Sequence, residues 1–217
     1  RTILSLAANY YSGDPAPEEP LKGRISRYAW GDDYHRVVKQ RLDRVLQDIR
    51  RMEPSTRGVC YVDAGPVMQK VWGAESALGW MGKNSILISR DRGSWFFLGV
   101  ILLNLELGAE RKHGDFCGSC TRCMTSCPSG AIVAPYVLDA RRCISYLTVE
   151  LRGAIPPPLR SCIGNRIFGC DVCQEACPWN RFARRAGEES FAPRAGNSEP
   201  ELAPLVSLTE EGFARRF

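Results

Sequence analysis

The chain is 217 residues long, with 44% apolar and 24% charged residues and a formal net charge of +5 at pH 7. Those proportions are ordinary for a globular fold and exclude a disordered, collagen-like or coiled-coil chain, while the length allows one compact unit or two small ones. The longest apolar run, residues 95–103, falls far short of the roughly 18 residues of a membrane span, so a soluble chain without a membrane partner is expected.

In chain order, Thr2–Asn9 is apolar and reads as a strand entering the core, followed by a loop holding Gly13, Pro15, Pro17 and Pro20. Apolar residues at Val38, Leu42, Val45, Ile49 and Met52 recur at helical spacing and predict one buried helix face, capped by Asp32 or Asp33. Residues 58–63 predict a short strand. Pro66 then suits the first turn of a helix running to about Leu78, which leaves Asp63 at a strand's carboxyl end, where ligands bind in α/β sheets. A Gly-interrupted loop at residues 79–85 leads to a strand at 86–89, and residues 95–105 predict a strand covered on both faces. Further on, residues 139–151 predict a helix, and Ser207-x-x-Glu210 has the pattern of a capping box opening another.

The expected fold class is α+β. An α/β domain spans residues 1–110, its N-terminus expected to be truncated. A cysteine-rich domain spans 111–182, where repeated Cys-x2-Cys spacing ending in Cys-Pro predicts a two-cluster ferredoxin-like fold, and a C-terminal tail covers 183–217. Residues 1–110 carry 15 basic and 13 acidic side chains, 111–185 carry 11 and 5, and 186–217 carry 3 and 6. The basic excess, on Arg111, Lys112, Arg122, Arg141, Arg142 and others, has two readings. It is a polyanion-binding surface, or it offsets the negative charge of thiolate-ligated clusters.

All ten cysteines but Cys60 fall between Cys117 and Cys177, so the thiols serve a local centre in a reducing compartment rather than a disulfide framework. Cys117-x2-Cys120-x2-Cys123-x3-Cys127-Pro128 is the run of bacterial two-cluster ferredoxins. Zinc needs only tetrahedral pairs, and nothing in its chemistry asks for the third Cys or the Pro. Cys170-x2-Cys173-x3-Cys177-Pro178 repeats the run with Ile167 in place of its first cysteine, and Cys143 and Cys162 are the nearby candidates to complete it. Under the crossed rule, with Cys143 on the predicted helix, cluster one takes Cys117, Cys120, Cys123 and Cys177. Cluster two takes Cys127, Cys143, Cys170 and Cys173. Cys60 and Cys162 are then small buried apolar residues.

The first 110 residues hold no G-x-G-x-x-G, so a dinucleotide on a Rossmann fold is not expected. Asp33-x-His35 has the start of a D-x-H-x-x-G cobalamin pattern, but Val38 stands where Gly is required, and His35 is not expected to ligate cobalt.

Several stretches together resemble the epoxyqueuosine reductase family. These are Tyr61-Val62-Asp63-Ala64-Gly65-Pro66, Gly79-Trp80-Met81-Gly82-Lys83-Asn84, and Gly93-Ser94-Trp95-Phe96-Phe97-Leu98-Gly99, with residues 138–148 and 164–173 and Cys177-Pro178-Trp179-Asn180. The resemblance covers nearly the whole chain and accounts for the incomplete second motif, because the family supplies a cluster ligand from the position of Cys143. It implies a cytoplasmic, monomeric oxidoreductase that reduces the epoxide of epoxyqueuosine, at the tRNA wobble position, to the alkene of queuosine. Its cofactors would be base-off cobalamin, held by the α/β domain, and two 4Fe-4S clusters, fed by a flavodoxin- or ferredoxin-type reducing partner.

Asp63 matches the family's proton donor, and an apolar corrin face beside it would keep it protonated near neutrality. Cofactor contacts carried over by the resemblance are Asp63, Lys83, Asn84, Ser85, Leu87, Leu98, Ser145, Asp171 and Val172. Arg141 and Arg142 are candidates for tRNA phosphate. Family members also carry more sequence before Arg1 and often a helical-repeat region after Phe217. Two alternatives stay open: a cobalamin-dependent reductive dehalogenase, and a ferredoxin-like electron-transfer module that would bind no cobalamin.

Overall fold

The computed structural model describes residues 1–14, 19–108 and 112–216. Pro15, Pro17, Arg111 and the expected boundary between 110 and 111 lie outside them. The strands are β1 (Thr2–Asn9), β2 (Arg24–Ile25), β3 (Gly58–Tyr61), β4 (Trp80–Met81), β5 (Leu87–Ile88), β6 (Phe96–Leu103), β7 (Ile132–Ala134), β8 (Val137–Leu138) and β9 (Arg166–Phe168). The helices are α1 (Tyr34–Met52), α2 (Gln69–Glu75), α3 (Arg122–Thr125), α4 (Ile144–Val149), α5 (Pro157–Ile163), α6 (Val172–Glu175), α7 (Leu202–Val206) and α8 (Glu210–Arg216).

The main sheet has the order β1-β6-β3, with the apolar β6 in the centre and antiparallel to both neighbours. The first segment is therefore not built on a parallel α/β sheet, which corrects that part of the expected class; the chain as a whole mixes helix and sheet. Helix α1 is capped by Asp33, whose side chain accepts from the His35 N–H, and it lays Val38, Leu42 and Leu46 onto the sheet. Close approach is possible because Gly99 and Gly58 face Leu42 and Leu46; a Cβ at either would sit 2.7 Å from a leucine methyl. Helix α2 covers other residues of β1 and β6. Among the described residues no helix is long and apolar enough to cross a membrane.

Helix α2 starts at Gln69, three residues later than Pro66 predicts. The Gln69 side chain accepts from the Asp63 N–H (3.1 Å) and donates to the Tyr61 carbonyl (3.0 Å), so residues 62–68 form a loop of tight turns rather than a first helical turn. The predicted helix 139–151 breaks in two at Cys143, whose backbone is extended (φ −70°, ψ 123°). Cys143 therefore caps α4 rather than lying within a helix. The expected capping box also shifts. Ser207 Oγ donates back to Pro204 O, and Thr209 Oγ1 instead accepts from the Gly212 N–H at the start of α8.

The segment after residue 182 is not a detached tail. Phe191 is buried in the main core beside Phe97, at a centroid distance of 4.9 Å, and Arg194 Nε reaches Asp32 at 2.8 Å. The expected domain boundary is crossed too, since β2 pairs in parallel with β9. Asn180 ties the cysteine-rich region to the loop before β6: its Oδ1 accepts from the Ser94 N–H (2.7 Å) and its Nδ2 donates to Ser94 Oγ (3.0 Å). Gly93, at φ +71°, is required there because a Cβ would lie 2.1 Å from Asn180 Oδ1.

Candidate active site and cluster cavities

Two cavities divide the cysteines. A cavity of about 230 Å³ is lined by Cys117, Cys120, Cys123 and Cys177. A cleft of about 730 Å³ is lined by Cys127, Cys143, Cys170 and Cys173 on one side and by Asp63 on another. Local structure produces this division. The loop after Cys117 turns back through a Cys120 N–H to Cys117 O bond, the single turn of α3 carries Cys123, and α6 repeats the arrangement with Cys173, packed against α3. Cys143 and Cys177 share an extended backbone at the start of the following turn, the latter at φ −74° and ψ 121°. Each is thereby delivered from outside the short loop it joins.

The electrostatics follow the same grouping. Burial first, then the neighbouring Cys170, Cys143 and Cys123, push the Cys173 thiol far up; burial pushes Cys170 up to about 11. Burial also raises Cys123 and Cys177, each reinforced by Cys117 and Cys120. Burial alone would raise Cys127 as well, but the Ala131 N–H, which donates to its sulfur at 3.3 Å, leads a set of bonds that hold it below its ordinary value. Thiols crowded together in this way resist ionising unless a cation shares them. Cys162 lies on α5 and lines neither cavity; Cys60 is buried in the main core, where burial raises its thiol to about 11.

Asp63 stands two residues past β3 at φ +54°, a left-handed conformation held by the Gln69 bonds. Its Oδ2 accepts a 2.5 Å hydrogen bond from the Tyr34 hydroxyl and lies 3.6 Å from His35 Nε2. His35 Nδ1 is 2.8 Å from Asp33 Oδ1. The Tyr34 ring is stacked between His35 (4.0 Å) and Phe97 (4.3 Å, 2° interplanar), and burial followed by the bond to Asp63 pushes its hydroxyl far up, so it stays protonated. Tyr34 had no sequence signal beyond its place between Asp33 and His35.

Of the predicted contacts, Asn84, Ser85, Leu98, Ser145 and Val172 line the cleft with Asp63. Three lie elsewhere. Lys83 lines the smaller cavity, and its Nζ donates to the carbonyls of Gly118 (2.5 Å) and Cys120 (3.0 Å), bracing the cluster loop. Leu87 is a core residue, 1% exposed. Asp171 is buried behind the cleft, where its side chain accepts from Ser26 Oγ and from the Arg27 N–H (2.8 Å) and pairs with the Arg27 guanidinium; burial pushes its carboxyl up. Arg141 and Arg142 are exposed near the cleft residues Ala140 and Ser145, with Arg141 engaged by Asp139 at 2.9 Å.

Residues 116–180 match the family model described as a 4Fe-4S double cluster binding domain, and residues 1–64 match the one described as Epoxyqueuosine reductase QueG, DUF1730. The chain is 43% identical over 219 residues to the epoxyqueuosine reductase of Synechocystis sp., covering all of this chain and 76% of that protein. It is 44% identical over 217 residues to the Escherichia coli enzyme, covering 98% of this chain and 57% of that one. A crystal structure of selenomethionine-labelled epoxyqueuosine reductase superposes with a TM-score of 0.90 at 31% identity, over 99% of this chain and 57% of that one. A crystal structure of epoxyqueuosine reductase with an epoxyqueuosine-modified tRNA-Tyr stem loop gives 0.87 at 32%, with the same two coverages. The chain thus spans little more than half of several of these proteins and three quarters of one. With a double-cluster segment and relatives of this identity along its whole length, the chain belongs to the epoxyqueuosine reductase family.

Proposed function

We propose that this chain carries the reductive centre of an epoxyqueuosine reductase, acting in the cytoplasm on the epoxide of epoxyqueuosine in tRNA. The observation that carries the reading is that Asp63 and the thiols of Cys127, Cys143, Cys170 and Cys173 line one cleft, where a cluster held by those thiols would be an electron source beside a proton donor.

The residues fit the cofactors that this chemistry needs. Four thiols border each cavity. A cysteine for each corner is the ligand set of a 4Fe-4S cubane, and the run with its third cysteine suits that better than the tetrahedral pairs of zinc. Cluster one would be held by Cys117, Cys120, Cys123 and Cys177, and cluster two by Cys127, Cys143, Cys170 and Cys173. The cleft has apolar walls at Ile86, Phe97, Leu98, Ile132 and Ile144, with Asn84, Ser85 and Ser145 among its polar groups, which is the character of a site for a large flat macrocycle such as base-off cobalamin. Bound there, cobalamin would supply a low-potential metal centre that passes electron density to the substrate.

Converting the epoxide to an alkene breaks both carbon–oxygen bonds, forms the carbon–carbon double bond and releases water, consuming two electrons and two protons. Asp63 gives a proton to the departing oxygen. The Tyr34 hydroxyl fixes its carboxyl in position, and the exposed His35, 3.6 Å away, offers a route for its reprotonation. Arg141 and Arg142 would meet tRNA phosphates. A single-electron donor of flavodoxin or ferredoxin type and a monomeric enzyme complete the reading. A reductive dehalogenase would need none of the likeness to the tRNA-bound structure, and an electron-transfer module would leave the Asp63 cleft without a role.

The test is anaerobic reconstitution of the full-length protein with iron, sulfide and cobalamin, followed by turnover on a stem loop carrying epoxyqueuosine. About eight irons, one cobalt and formation of queuosine are expected. Eight irons without cobalt uptake would leave an electron-transfer protein.

A further inference from the structure

The smaller cavity shares only Asn84 with the cleft that holds Asp63, so its cluster would be the end of the relay farther from the substrate. Its rim is aromatic. Phe116 and Trp179 line it, with ring centroids 6.0 Å apart, and Phe182 continues the ladder 5.8 Å beyond Trp179. Trp80, 3% exposed, backs the ladder edge-on at 5.1 Å from Phe116 and 5.0 Å from Trp179. Phe116 and Phe182 remain 41% and 39% exposed, too much for rings that serve only this chain's core.

The rim is also cationic. The Arg90 guanidinium lies 5.7 Å from the Phe116 ring centre and that of Arg181 4.6 Å from Phe182, and among the described residues neither is paired with a carboxylate. Arg181 lines the cavity itself. The acids nearest in sequence do not cancel this charge: Asp91 lies between Arg90 and Arg92, and on either side of Arg181 Glu175 is paired with Arg24 and Arg27 and Glu188 with Arg41.

We propose that this face is the docking site of a small acidic one-electron carrier protein, and that electrons enter the chain through the cavity of Cys117, Cys120, Cys123 and Cys177. The proposal rests on the cluster assignment above. In each encounter the carrier is oxidised by one electron and the cluster is reduced by one, with no bond or proton moved, and two encounters supply one turnover. Exposed rings flanked by cations give a small, weakly bound contact of the kind that electron-transfer pairs use, and the positive rim steers an acidic partner toward it. An RNA surface is the less favoured use, because the substrate must present its base at the other cavity, beside Asp63.

The experiment mixes reduced flavodoxin with the full-length, reconstituted protein and follows cluster bleaching by anaerobic stopped flow. Wild type is compared with the double variant Arg90→Glu, Arg181→Gln and with Arg90→Lys, Arg181→Lys. The charge-changed variant should be reduced about tenfold or more slowly at low salt, the wild-type rate should fall as salt rises, and the lysine variant should stay within about threefold of wild type. All three should bleach to the same extent with dithionite, which shows that the clusters are loaded. An unchanged flavodoxin rate in the charge-changed variant overturns the proposal. So does an unchanged rate accompanied by weaker binding of a tRNA stem loop, which would make the face an RNA surface. If dithionite bleaches no variant, the cluster assignment itself fails.

Discussion

The Tyr34 hydroxyl donates to Asp63 Oδ2 at 2.5 Å, joining the first residue of α1 to the loop after β3. Because the Tyr34 ring is clamped between Phe97 and His35, this bond fixes which way the carboxyl faces in the cleft. Asp63→Asn keeps the shape and removes the proton. It should retain full iron and cobalt while losing about 100-fold or more in single-turnover rate on the stem loop. A near-wild-type rate would remove Asp63 from the mechanism.

Tyr34→Phe tests positioning separately from proton donation. Burial raises the Tyr34 hydroxyl, and the Asp63 bond raises it further. A hydroxyl raised in the folded state contributes its stabilisation fully below its unfolded value and loses it only as pH rises through the higher folded one. Its contribution is therefore constant between pH 6 and 9. The variant should lose about tenfold in turnover, keep KM for the stem loop, and show the same ionisations as wild type across that range. Disappearance of a limb of the pH profile would mean that Tyr34 itself titrates.

The cysteine at position 143 decides the ligand set. Cys143→Ser should leave about four irons per chain and remove the signal of one of two reduced clusters in EPR spectra, whereas Cys162→Ser should keep about eight. The opposite pattern would exchange the roles that their positions give them, one at the cleft and one on α5.

Much of the candidate site was legible because thiol spacing is local chemistry: the cysteines of the two short loops line the two cavities, and the motif around Asp63 marks a strand end. What was not legible depends on tertiary contact. Nothing in a helical periodicity says that Tyr34 meets Asp63, because the two come together only when α1 packs across the sheet. Lys83 and Asp171 belong to motifs that neighbour the cleft, yet their side chains turn to brace backbone behind it, and motif membership does not encode side-chain direction. Pro66 permits a first helical turn, but the Gln69 side chain offers the backbone better partners and delays the helix. The apolar β6 reads equally well as a parallel or an antiparallel central strand, since burial on both faces is the same in either case.

Asp171 and Arg27 form a pair whose side chains are each 7% exposed, next to the loop that carries Cys170 and Cys173. Removing one partner leaves a buried charge with less compensation. Arg27→Met should cost about 3–5 kcal/mol and lower the cluster-loaded Tm, while Arg27→Met with Asp171→Leu should recover much of the loss. If the double variant is no better than the single, the pair acts through its bonds to Ser26 and Glu175 rather than as an ion pair.

Phe191 tests whether the segment after residue 182 belongs to the main core. It is 4% exposed and packs on Phe97, the same ring system that stacks against Tyr34. Phe191→Ala should destabilise by about 3–5 kcal/mol through lost burial and the cavity left behind. Because Phe97 would lose its support on one side, the variant should also lower turnover below 25 °C, where the fold survives, with the iron content unchanged. Phe191→Leu fills most of the space and should restore both stability and rate in large part. A stable, fully active Phe191→Ala protein would show that the segment lies on the core without completing it.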